Sequence, residues 1–531
     1  LPPGYTPSFP HGVMSGDPQP DGAVIWTKLS PAPGDVDVPV LWEVSDRPDF
    51  ATITTGGAAV ASAADAYAVH VPVTGLGTDG WWYYRFTVGT VVGPVGRLRT
   101  APDPSSSPDS LTVAWTSCQQ RGSGYASHRA LANEPGVDFF LHLGDYVYVS
   151  DGGTLTLDDY RGVYDAFKAE PELQSLQAAL PIVSMFDDGE FYNGVDSTGD
   201  PARLAAAHQA WFETMPVIAP GADPTQAYRS FSWGDLLELF MIDVRSYRSP
   251  AIDETDTSTP AGAAIFDPSR TTLGATQKAW LKDGLAASAG CWKVLGNPYN
   301  MGVWRLFDTD PGPPRPPGVH PQQGVYAPNE AWDDYWAERR ELLAHVRDRS
   351  IDGVVSLSGH THIWVASELA ADIDDPNDPI VAHDFTCGSL TPDPDVILDR
   401  GGDPAEAYDY YRQLADLSIG QNTGQKYVNF INHGYGLATF TPDEVTVTFR
   451  AVNPYSSSIE TVTVAELTVP KATNCLSTTS YSIPCYSCGD PYPRGEAAPV
   501  TTTCTPRGGS VTDPGTDPAG PPISARPPFT G

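Results

Sequence analysis

Basic residues, long apolar runs and cysteines are all scarce in this chain of 531 residues, and each scarcity narrows what it can do. Lys and Arg number 31 against 65 Asp and Glu, a formal charge of −34. Binding nucleic acid through its phosphates needs a broad basic face that releases counterions, so a stable nucleic-acid partner is excluded. No apolar run approaches the roughly 20 residues that cross a bilayer as a helix, so no membrane span is expected. The opening LPPGYTPSFPHG carries neither a basic n-region nor an apolar h-region. A secreted or periplasmic protein whose signal peptide has been removed is the expectation.

The cysteines are Cys118, Cys291, Cys387, Cys475, Cys485, Cys488 and Cys504. An odd count in a secreted chain leaves at least one sulfur without an internal partner. Four of them fall after residue 470, in a Pro-, Gly- and Thr-rich segment that builds no core of its own. Such a segment needs disulfide staples to hold a shape. Cys485-Tyr-Ser-Cys488 also has the spacing of a redox or zinc pair, but no second C-x-x-C and no nearby histidine accompanies it, which favours disulfides.

Hydrophobic residues reach 40% and aromatics 10%, enough for packed cores, and the length sets a prior of two or three domains. Residues 1–103 read as all-β: AVIWTKL, VPVLWEV, AYAVHVPV and WWYYRFTV are short Val-, Thr- and aromatic-rich runs between turn residues. Their spacing suggests a fibronectin-like sandwich. TAPDPSSSPDS is a linker, and from Leu111 strands alternate with helices. LTVAWTSC, VDFFLHLGD, PIVSMFDD, LLELFMIDVRS, CWKVLGN and IDGVVSLSGH are strands. GYASHRALANE, 158–180, PARLAAAHQAWFETM, GATQKAWLKDGLAAS and NEAWDDYWAERRELLAHVRD are helical. That alternation defines a layered α/β domain over 104–469, closed by a hairpin at 435–452. Residues 470–531 form the extension, and no internal repeat is found.

Polar residues gather where these strands stop. Cys118 follows TVAWTS, Asp145 follows FFLHLG, Asp188 follows IVSMFD, Asn297 follows WKVLG and His360 follows VVSLSG. In open α/β sheets, ligands sit beyond the carboxyl ends of the strands. His360 and His362 lie two apart, which on extended backbone puts both imidazoles on one side. Each residue alone has a bland alternative: Asp after Gly and Asn before Pro form turns, and a strand-end Cys is usually core. The joint pattern carries the specificity.

At these motifs the chain resembles a known family. GDYVY matches the GDxxY element of the calcineurin-like metallophosphoesterases, GHTH their closing GHxH, and VLGN the place where purple acid phosphatases carry VxxH. Together with FPHGVMSGDP, TSCQQ, MFDDGE, MIDVRSYRS and NHGYG, these resemble the PhoD-type alkaline phosphatase and phosphodiesterase branch from about residue 9 to 452. The resemblance implies a four-layer αββα catalytic domain behind the N-terminal sandwich. It implies a ferric ion held by Cys118, Asp145, Tyr148 and His362, and a second metal held by Asp188, Asn297 and His360 with Asp145 bridging. Thiolate and phenolate favour a trivalent ion; carboxylate, amide oxygen and imidazole suit a divalent one. Two ions about 3.5–4 Å apart would clamp a phosphoryl group and lower the pKa of a water for in-line attack. With Cys118 as a ligand, six cysteines remain for three disulfides.

The chain departs from the family pattern in two places. The branch usually closes with G-D-V-H, whereas this chain has Gly359-His360-Thr361-His362, which shifts the second metal from Ca²⁺ towards Zn²⁺, Mn²⁺ or Fe²⁺. The family pattern D-D-H-E reads Asp187-Asp188-Gly189-Glu190 here, removing the histidine expected to assist the leaving group and freeing room for a bulkier ester. Arg245 and His433 are further catalytic candidates; their alternatives are pairing a core carboxylate and capping a turn. His208, among alanines on a helix, reads as packed.

The function implied is hydrolysis of phosphomonoesters or phosphodiesters. Phospholipase D-like cleavage of lipid headgroups is the alternative within that class. An assembly role, with self-association through the extension, is the alternative outside it.

Overall fold

The computed structural model describes residues 1–122, 124–149, 155–221, 223–252, 265–306, 325–326, 332–391, 402–481, 483–488 and 500–502. The N-terminal strands form the expected sandwich. One sheet orders Val13–Gln19, Gly22–Lys28 and Ala68–Val73; the other orders Thr55–Ala61, Val38–Ser45, Trp81–Val88 and Val91–Arg99. Alternate residues of both sheets, among them Ile25, Val69 and Val71 against Val40, Tyr84 and Phe86, fill one core.

Two larger sheets are built from the rest of the chain. The first orders Ile182–Met185, Phe139–Leu143, Leu111–Thr116, Gly434–Phe440, Glu444–Val452, Thr461–Pro470, Ser477–Ser480 and Val500–Thr502. The second orders Arg229–Trp233, Leu237–Met241, Trp292–Tyr299, Val354–Gly359, Ala382–Thr386, Trp364–Leu369 and Gln425–Asn429. Period-2 alternation assigns each strand's two faces to different cores. Val113, Leu141 and Val183 of the first sheet meet Leu239, Val294 and Val355 of the second in the central core. Their neighbours Ala114, Phe140 and Ile182 turn outward onto helices Ala126–Ala132 and Pro171–Ala179. Phe240, Leu295 and Val354 turn outward onto Gly274–Ala287 and Trp336–Asp348. The domain is therefore helix, sheet, sheet, helix, as the resemblance implied.

The helical stretch at 158–180 is two helices, Leu157–Lys168 and Pro171–Ala179, because Pro171 fits only a first helical turn. Buried polar contacts bind the sandwich tightly to the α/β domain. Arg229 grips Asp17 with two hydrogen bonds of 3.0 and 2.8 Å, both side chains buried, and Trp26 Nε1 donates to the Glu213 carbonyl at 2.9 Å.

In the extension, Ser477–Ser480 and Val500–Thr502 lengthen the first large sheet, and Cys485 pairs with Cys488. Cys475 is disulfide-bonded as well. Three disulfides do not form, however: Cys291 and Cys387 are free thiols. Cys387 is packed in the central core, and Cys291 donates to the Pro442 carbonyl at 3.3 Å. These two sulfurs thus serve packing. No helix among the described residues is long and apolar enough to cross a membrane.

Candidate metal centre

Parallel pairing aims the strand ends at one place. Leu111–Thr116, Phe139–Leu143 and Ile182–Met185 run parallel in the first sheet, and Trp292–Tyr299 and Val354–Gly359 in the second. Cys118, Asp145, Asp188 and His360 lie just past four of these ends, and Asn297 lies within the fifth strand. The chain must turn sharply there. Cys118, Asp145, His360 and His362 all take left-handed backbone, with φ of 58°, 53°, 68° and 56°. Each such residue costs on the order of 1–3 kcal/mol, strain that collects at functional sites.

Two groups of donors result. In the first, Cys118 Sγ lies 3.2 Å from Asp145 Oδ2, and Tyr148 Oη lies 3.4 Å from the same oxygen and 3.0 Å from His362 Nε2. In the second, His360 Nδ1 lies 2.7 Å from Asp187 Oδ2, 3.9 Å from Asp188 Oδ1 and 4.0 Å from Asp145 Oδ2. The ligand atoms of Cys118, Asp145 and His362 all fall within 4.8 Å of one another, as do those of Asp145, Asp187, Asp188 and His360. Asp145 belongs to both.

The electrostatics suit cations. Burial, then the Asp188 and Asp187 carboxylates, push Asp145 up to about 8. Burial works against a charged His360, yet the Asp187 carboxylate overrides it and raises the imidazole to about 9. Burial alone would raise Asp187 too, but Arg245 and His360 hold it below the usual carboxylate range. His362 is pushed down to about 3 by burial, then by His360 and His433. Burial and Asp145 raise the Cys118 thiol well above its ordinary value. Charged groups buried at this density are paired or coordinate metals, and thiolate, phenolate, imidazole and carboxylate, the side-chain types gathered here, are metal donors once deprotonated.

The other expected residues divide between the cluster and its surroundings. Arg245 is buried, with Nε against Asp187 and a terminal nitrogen 3.5 Å from Asp188 Oδ2 and 3.4 Å from His360 Nδ1. It pairs core carboxylates, and those carboxylates belong to the cluster. Asn297 is buried, but its Oδ1 accepts from Trp332 Nε1 at 3.3 Å and its Nδ2 donates to Ser356 Oγ at 3.2 Å. No described contact joins Asn297 to the carboxylates. His433 is buried and close enough to His362 to lower it. His208 packs edge-on against Phe186 and Phe191, as expected of a packed histidine.

Two findings go beyond the sequence reading. Asp187, not Asp188 alone, stands among the donors; the DD pair in MFDDGE was the available signal. Gly189 frees no room: a Cβ there would lie 2.6 Å from the Val147 carbonyl oxygen and 2.7 Å from Asp145 Oδ1. The space a side chain at position 189 would take is filled by the Asp145 loop.

Similar proteins share this fold. A family model described as PhoD-like phosphatase matches residues 113–449, and one described as the PhoD-like phosphatase N-terminal domain matches residues 3–102. Alkaline phosphatase D of Bacillus subtilis (strain 168) is 31% identical over 481 residues, 84% of this chain and 77% of that protein. A solved structure of PhoD superposes with a TM-score of 0.76 at 28% identity, covering 87% of this chain and 90% of that one. Purple acid phosphatase PPD1 from yellow lupin (Lupinus luteus) seeds shares the fold, with a TM-score of 0.52 at 11% identity over 87% and 74% of the two chains. Fold and relatives define a phosphoric ester hydrolase. Within that class, the chain belongs to the PhoD-like phosphatase family.

Proposed function

We propose that this protein is a secreted dinuclear-metal phosphoesterase acting on phosphomonoesters or phosphodiesters. The observation that carries the reading is Asp145, whose carboxylate belongs to both donor groups. Cys118, Asp145, Tyr148 and His362 would hold a ferric ion. Asp145, Asp188 and His360 would hold a divalent one, Ca²⁺, Zn²⁺ or Mn²⁺, with Asp187 and Asn297 beside them. Bound there, two cations supply charge neutralisation for the phosphoryl oxygens and activate water at neutral pH.

The chain's own residues do the rest. Arg245 fixes Asp187 and Asp188 by ion pairs that solvent does not reach. His433 is the remaining imidazole beside His362 and takes the place of the missing family histidine as proton donor to the departing oxygen. The catalytic unit spans 104–469 behind a sandwich of 1–103, and Ser477–Ser480 and Val500–Thr502 of the 470–531 extension add strands to its sheet.

Turnover of p-nitrophenyl phosphate, its bis-ester and phosphatidylcholine, measured side by side, tests this reading. Hydrolysis of the first two is expected. Cleavage of phosphatidylcholine alone would favour a lipid headgroup enzyme, and turnover of none would reject the proposal. Replacing His433 by alanine should slow alkyl phosphates by the 10²–10⁴-fold a positioned acid supplies while sparing p-nitrophenyl esters.

A further inference from the structure

We propose that Glu190 is a positioning residue that sets the spacing between the two cation sites. The inference rests on the dinuclear reading above. Glu190 is completely buried and makes no contact with a basic side chain among the described hydrogen bonds and ion pairs. Its Oε1 accepts the Tyr146 N–H at 2.7 Å, and its Oε2 accepts the N–H of Asp145 at 3.0 Å and of Asp187 at 2.9 Å. One carboxylate therefore joins the loop that carries Asp145 to the loop that carries Asp187 and Asp188. The junction has no slack. A Cβ on Gly144 would lie 2.5 Å from the Asp187 nitrogen, and one on Gly189 would lie 2.6 Å from the Val147 carbonyl oxygen. The Gly189 N–H donates to Asp145 Oδ1 at 2.9 Å, and the Val149 N–H to the Gly189 carbonyl at 2.9 Å.

A carboxyl side chain is costly in this place, beside Asp145 and Asp187, and its two oxygens serve as acceptors for all three amides. Glutamine would keep one acceptor oxygen and turn the other position into an amide donor facing N–H groups. Glu190 touches neither cation site directly, so its effect reaches the ions through where Asp145 and Asp187 stand. Outer partners of this kind typically change metal affinity 10–100-fold.

The test uses purified full-length holoprotein, wild type and Glu190→Gln, dialysed against graded chelator and read by elemental analysis. The variant should lose metal at roughly 10–100-fold lower chelator concentration, while circular dichroism of the metal-loaded protein stays unchanged. Glu190→Asp, which keeps both acceptor oxygens but withdraws them, should fall between the two; it replaces the glutamine variant if that one does not fold. Metal retention equal to wild type in a folded variant overturns the proposal. A wild type that binds fewer than two ions instead overturns the dinuclear reading, a separate outcome.

Discussion

Tyr148 Oη stands 3.0 Å from His362 Nε2 and 3.4 Å from Asp145 Oδ2, which places a phenol among an imidazole, a carboxylate and the Cys118 thiol. A ferric ion bound by phenolate and thiolate absorbs in the visible through ligand-to-metal charge transfer. The purified protein is therefore expected to be coloured, and Tyr148→Phe should shift or bleach the band. A colourless, iron-free and fully active wild type contradicts the ferric assignment.

Installing the family histidine at position 189 should damage the site. The Cβ would press on the Val147 carbonyl oxygen, which is backbone and cannot rotate away. Overpacking of this kind costs about 1–3 kcal/mol. Gly189→His and Gly189→Ala are both expected to lower the melting temperature and the bound metal, with no gain on alkyl phosphates. Faster alkyl phosphate hydrolysis by the histidine variant would show that the loop yields.

Most of the fold was legible because period-2 runs such as LTVAWT and VVSLSG are long, apolar and bounded by turn residues. Pro171 lies within 158–180 and marks the break there, because proline fits a first helical turn and not a helix interior. Cys118, Asp145, Tyr148, Asp188, His360 and His362 were visible because they end strands or match spaced motifs. Glu190 was not, because its partners are backbone amides, and no side-chain spacing records them. Asn297 shows the opposite limit: its position was readable, while its hold by Trp332 depends on a helical turn far along the chain.

Burial makes stability fall in acid. His128, His142 and His383 are each held down at about 3, chiefly by burial, against an ordinary 6.5. Between those values the unfolded chain binds protons that the folded chain refuses. The stability is thus fully present above about pH 6.5 and is lost as pH falls towards 3, at about 1.4 kcal/mol per pH unit per histidine. Denaturant melts of wild type, His142→Gln and His383→Gln across this range should differ in slope by one proton each. Identical slopes would contradict the burial argument.

The grip of Arg229 on Asp17 joins the sandwich to the catalytic domain where both side chains are buried. Arg229→Met leaves a buried carboxylate without its partner and should cost about 3–5 kcal/mol. Adding Asp17→Leu should restore much of that loss. Equal stability of the single variant and wild type would mean that Asp17 finds water or another cation.

Asp145 is the shared member of both donor groups, so its replacement reads the central claim most directly. Elemental analysis of wild type and Asp145→Asn, paired with p-nitrophenyl phosphate turnover of the same samples, is the decisive measurement. Two metal equivalents per wild-type chain, with both ions and turnover lost in Asp145→Asn, is the expected result. A variant that keeps both ions and wild-type turnover would contradict the shared site.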